Sequence, residues 1–171
     1  MDKDTVIFKE LKKRMNYLVS EYGYEVAFIS LQGSQNYGMD IYTDEYKSDI
    51  DCIAVILPTL DDFIANKQAV STTIVLDNNE HINVKDIRLV FELFYKQNIQ
   101  FLEILFTKYK IVNKKYKMAL KDLFNNAERI ANYDRLRLFN GISGMAKEKL
   151  KALEHPYPTI KNKIDKYGYD R

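Results

Sequence analysis

Two short apolar runs, EVAFISLQ (25–32) and IDCIAVILP (50–58), constrain this chain more than any other feature. Both are rich in β-branched residues, and they end at Gly33 and Pro58. Runs of this length between glycine and proline breakers read as buried strands. Each must be covered by something apolar, and the flanking sequence supplies candidates. Residues 4–22 carry Val6, Ile7, Leu11, Met15 and Leu18 at helical spacing, with Lys and Glu between them. That pattern predicts an amphipathic helix.

Beyond Pro58, Asp61 and Asp62 open a short helix, and STTIVL and HINV form a hairpin or two strand pieces around the turn DNNE. From Asp86 the period becomes helical. DIRLVFELFYKQ begins with an Asp N-cap, and IQFLEILFTKY, YKMALKDLFNNAERIANY and RLFNGISGMAKEKLKALEH continue as helices or helical turns. Helix, strand, helix, strand predicts an α/β (α+β) fold with a small mixed sheet and helices packed on it. The expected division is an α/β core over 1–85 and a helical part over 86–171, together one compact domain. A chain of 171 residues and 20.2 kDa, 46% hydrophobic, is long enough to bury a core of its own.

Between the two strands lies the least ordinary stretch, GSQNYGMDIYTDEYKSDID (33–51). In an extended strand alternate side chains share a face, so Asp49 and Asp51 project together while Ile50 and Cys52 face the core. Two adjacent carboxylates repel unless a cation lies between them. Mg²⁺ favours one or two carboxylates plus phosphate oxygens, which an Asp-x-Asp at a strand mouth can supply. Gly33 and Ser34 end the preceding strand, where a glycine admits a phosphate and the next hydroxyl and amides donate to it. Lys47 in the connecting loop and Arg88 after the third strand are candidates to neutralise phosphate charge, with Lys85 beside Arg88.

On these residues the chain resembles the DNA polymerase β-type nucleotidyltransferase superfamily, whose pattern is Gly-Ser after a first strand and a hydrophobic-flanked Asp-x-Asp on the next. The similarity is closest to small predicted bacterial and phage nucleotidyltransferases with GSQNYG-like starts. It extends over VSTTIVLDNNEHINVKDIRLVFELFYKQNIQFLEILFTKYKIVN and GMAKEKLKALEHPYP…KYGYD, most of the chain. In the resembling proteins a further helical stretch follows KYGYD.

The resemblance implies attack of a hydroxyl on the α-phosphate of a nucleoside triphosphate, with release of pyrophosphate. Gly33 and Ser34 would hold the β- and γ-phosphates. Asp49 and Asp51 would hold two Mg²⁺ ions, with Mn²⁺ as a substitute. The acceptor would be a tRNA end, a protein side chain or a small molecule. A third family carboxylate falls at Asn83 in EHINVKDIR, where an amide brings neither charge nor a base. Glu80 and Asp86 are the nearby substitutes. The alternative is a catalytically silent module of the same fold, acting through a protein partner as a phage inhibitor or antitoxin-like protein does.

Charge narrows the field further. The 26 basic and 24 acidic residues give +2, too little for a structural RNA-binding protein that tracks phosphates. The lone Cys52 rules out an intrachain disulfide and a Cys-based metal knuckle. MDKDTVIFKELKKRM is no signal peptide, and no run approaches membrane-spanning length, so the expected setting is the cytoplasm without a membrane.

Overall fold

The computed structural model describes residues 2–40 and 48–154, and describes the backbone alone for 153 and 154. Helix α1 (Lys3–Tyr22) begins at Asp2, whose carboxylate accepts the Thr5 N–H. It ends at Gly23, which takes a left-handed φ of 65°. Strand β1 (Glu25–Gln32) follows at once, then a 3₁₀ turn (Ser34–Tyr37) and, after the long connection, β2 (Asp51–Leu57). Thr59 caps the short α2 (Leu60–Ile64). The predicted hairpin is present as β3 (Ser71–Val75) and β4 (His81–Asp86), paired antiparallel.

Asp86 ends β4 and caps α3 (Ile87–Tyr95), its carboxylate accepting the Arg88 N–H at 2.9 Å. Asn98 caps α4 (Ile99–Phe106) in the same manner. The predicted helix over IQFLEILFTKY stops early, and Lys110–Val112 forms a strand, β5. The remaining chain is α5 (Lys117–Asn125), α6 (Ala127–Ala131) and α7 (Arg135–Glu154). YKMALKDLFNNAERIANY is thus two helices, broken at Asn126.

The sheet is mixed, in the order β3-β4-β2-β1-β5. Only β2 and β4 run parallel; the other neighbours are antiparallel. A register shift between Val26 and Phe28 puts a bulge at Ala27 of β1. Because β5 joins the sheet, a residue range inside the predicted helical part completes the α/β core.

The sheet is buried on both faces, which explains the unbroken apolar runs of β1 and β2. On one face α1 sets Ile7, Leu11 and Leu18 against Ile29, Leu31, Ala54 and Val84. On the other, α3 and α4 set Val90, Phe94, Phe101 and Ile104 against Phe28, Ile53 and Val55. The result is a layer of sheet between two layers of helix. Among the described residues, no helix is long and apolar enough to cross a membrane.

Candidate functional site

The end of β1 and the start of β2, both interior strands, meet at one end of the sheet. Gln32 lies opposite Asp51 in the antiparallel register, so Gly33 is the first residue beyond that pair. Gly33 has φ 94° and ψ −162°, a backbone region essentially reserved for glycine. A Cβ built there would meet nothing within 4 Å, so backbone conformation alone requires the glycine and the space above it is open. Ser34 is exposed at the first position of the 3₁₀ turn, and Gly38 closes that turn with its N–H on the Ser34 carbonyl.

Three side chains fix the Asp-Ile-Asp segment. Gln35, buried inside the 3₁₀ turn, donates from its amide to the Ser48 carbonyl at 3.1 Å and the Asp49 carbonyl at 2.9 Å. Arg14 of α1 is 3% exposed and donates to the Ile50 carbonyl. Its guanidinium also pairs with Glu80, whose second oxygen accepts the Ile50 N–H at 2.8 Å. The peptide groups on both sides of Ile50 are therefore held from α1 and from the β3–β4 turn. Ile50 and Cys52 join the core under α1, which turns Asp51 to the opposite face, as alternation predicts. Burial pushes the Cys52 thiol up to about 11, with Arg14 opposing, so this cysteine is an inert core residue.

Asp51 is half-exposed; its Oδ1 accepts the His81 N–H at 2.8 Å and lies 3.3 Å from His81 Nδ1. Asp49 is exposed, and its carboxylate has no hydrogen-bond partner among the described residues. Asn83 occupies the same sheet face as Asp51, one strand over. Both ends of its amide are engaged: it donates to Gln32 Oε1 at 2.8 Å and accepts from the Thr73 hydroxyl at 2.8 Å. The Gln32 side chain spans β2 to make that bond. A polar string Gln32–Asn83–Thr73 thus links β1, β4 and β3 across β2, beside Asp51.

The other sequence candidates lie elsewhere. Glu80 is committed to Arg14 and the Ile50 N–H and is no spare carboxylate. Asp86 is 1% exposed at the far end of β4, about 16 Å along the strand from His81 at ~3.3 Å per residue. Arg88 is at that far end too, donating to Asp86 Oδ2 at 2.7 Å and to the Lys67 carbonyl at 3.1 Å. The structure does not bring Arg88 to the Gly-Ser turn. Lys85 bonds Ser71 on the neighbouring edge strand. Lys47 lies outside the described residues.

Mg²⁺ would find two carboxylates here, Asp49 without a side-chain partner among the described residues and Asp51 with Oδ2 unengaged by them. Among the described residues, no three His, Cys, Asp or Glu side chains are grouped to hold a metal by themselves. Two carboxylates would leave the remaining positions of such an ion to phosphate oxygens and water, the usual habit of Mg²⁺. Sequence reasoning missed Gln32, Gln35 and Arg14. Only Arg14 left a trace, as a charged residue inside the apolar stripe of α1.

No protein-family model and no curated protein matches the chain.

Proposed function

We propose that this chain is a nucleotidyltransferase-like protein that binds a nucleoside triphosphate with Mg²⁺ and transfers the nucleoside monophosphate to a hydroxyl. The acceptor oxygen bonds to the α-phosphorus, the α–β anhydride bond breaks, and pyrophosphate leaves with that electron pair. The hydroxyl proton passes to solvent. Mg²⁺, held by Asp49 and Asp51, would offset phosphate charge and withdraw electrons from the leaving group. One observation carries this reading: the Gly33–Ser34 turn and the Asp49–Asp51 carboxylates end adjacent antiparallel strands at one end of the sheet, tied together by Gln35.

Within it, Gly33 leaves room for phosphate and Ser34 supplies a hydroxyl and an amide. Arg14 and Glu80 keep the Asp49–Asp51 backbone from shifting as charge enters. Asn83 supplies no base, so turnover is slow; positioned acid–base groups contribute about 10²–10⁴-fold.

The engaged amide of Asn83 favours a second reading, the silent nucleotide-binding module that acts through a protein partner. Calorimetric titration of the four ribonucleoside triphosphates with Mg²⁺ tests the shared premise. The unaltered chain binds, and Asp49→Ala/Asp51→Ala does not; equal binding by both overturns the site. Pyrophosphate release, with bulk RNA and the protein itself as acceptors, separates the two readings. Release that rises about 10²-fold or more in Asn83→Asp supports the transferase. Intact binding with no release from either protein supports the module.

A further inference from the structure

The helix α4 is apolar on nearly every side, yet FLEILF carries Glu103 at its centre. Ile99, Glu103 and Phe106 are spaced four and three apart and share one helix face. That face lines a cavity of about 560 Å³ beside the 3₁₀ turn, with Tyr37 and Tyr109 also in its wall. Cavities of this size hold small organic molecules. Neither Asp49 nor Asp51 is in its wall.

Glu103 is half-satisfied. Its Oε2 accepts the Tyr37 hydroxyl, and its Oε1 is buried with no hydrogen-bond partner. No Lys, Arg or His among the described residues comes within ion-pair distance of it. Lys108 lines the same cavity but is held at 3.0 Å by Asp4 and sits 4.7 Å from the Tyr109 ring centroid. An acidic group in a largely apolar, aromatic-walled cavity therefore lacks a counter-charge among the described residues. Such a group costs free energy until a cation or donor reaches it. Apart from Asn36, Thr107 and Lys108, the rest of the wall is hydrocarbon and ring.

We infer that this cavity binds a primary amine carried on an apolar or aromatic body, with the Glu103 carboxylate as its counter-ion. The ammonium pairs with the Glu103 carboxylate, the Tyr37 and Phe106 rings face the cation, and the apolar body lies along Ile99 and Leu102. A neutral alcohol of the same shape supplies a donor without the charge, and an acid of that shape is repelled. The inference does not depend on the triphosphate reading, because its site shares no carboxylate with Asp49 or Asp51.

The test uses the full chain without nucleotide or Mg²⁺, titrated with 2-phenylethylammonium, 2-phenylethanol and phenylacetate. The ammonium binds tightest, and Glu103→Gln weakens it roughly ten- to hundredfold, as loss of a charged hydrogen bond implies, while leaving the alcohol unchanged. Amide ¹H–¹⁵N spectra of the unaltered chain then show ammonium-induced shifts at residues 36–37 and 99–109. Equal binding of the three probes overturns the inference. So does ammonium binding that survives Glu103→Gln, shifts confined to other residues, or no binding at millimolar probe.

Discussion

At position 83 asparagine and aspartate differ by a single heavy atom. An aspartate there would carry charge beside Asp51, whereas the asparagine carries two hydrogen bonds, one to Gln32 and one from Thr73. Asn83→Asp keeps the acceptor for Thr73 and sets a carboxylate against Gln32 Oε1, so the Gln32 amide must rotate. The variant is expected to fold with a penalty of about 1–3 kcal/mol in urea denaturation. Asp86 illustrates the opposite balance. Burial works to raise its pKa, but the hydrogen bonds and charge of Arg88 prevail and hold it below the usual carboxylate value. A depressed folded pKa stabilises above the unfolded value of about 3.9 and is lost as pH falls through the folded one. Asp86→Asn keeps a good helix cap and removes the ion pair. Its stability deficit should be full at pH 7 and vanish at strongly acid pH, as urea melts across that range would report. Tyr37 carries a third residue-scale signature. Burial, then the neighbouring Glu103, pushes its phenol up to about 12. In Glu103→Gln its ultraviolet titration moves down only in part, because burial remains.

At the scale of elements, α1 does more than cover the sheet. It delivers Arg14 to the Ile50 carbonyl and to Glu80, joining a helix, a strand mouth and a hairpin turn. Removing one partner of a buried pair leaves the other uncompensated, so Arg14→Met is expected to cost about 3–5 kcal/mol. Arg14→Met combined with Glu80→Met should cost less than the sum of the two, which a double-mutant cycle in urea measures. This clamp was only faintly legible in the sequence. The apolar stripe of α1, the caps at Asp2 and Asp86, and the runs of β1 and β2 are local signals, and each predicted element is present. The Gly33 turn and the Asp-Ile-Asp mouth could be named for the same reason. Gln35 gave no signal, since its amide acts on carbonyls across a loop and no periodicity marks such a bond. Strand β5 was hidden because three residues, Lys110–Val112, carry too little pattern to outweigh the helical sequence before them. Asn83 and Arg88 could be named from order along the chain, but only the register of β2 against β4 separates one end of that strand from the other.

For the whole molecule, the two-sided burial of the sheet sets how stability is distributed. Leu11 on α1 and Phe28 under α4 are both fully buried, on opposite faces of the sheet. Leu11→Ala is expected to cost about 2–5 kcal/mol and Phe28→Ala about 3–5, each read from the urea midpoint. Neither face has a spare layer, so either change consumes much of the ~5–15 kcal/mol typical of a domain. The pairing of β1 with β5 has a consequence in time. Phe28 waits for Val112 as its partner, and synthesis at about 5–20 residues per second makes that wait roughly 4–17 s. Throughout it, the newborn chain presents one flank of a buried apolar strand to whatever else is being made nearby. The last three residues to enter the sheet are thus the ones that end its exposure to neighbouring polypeptides.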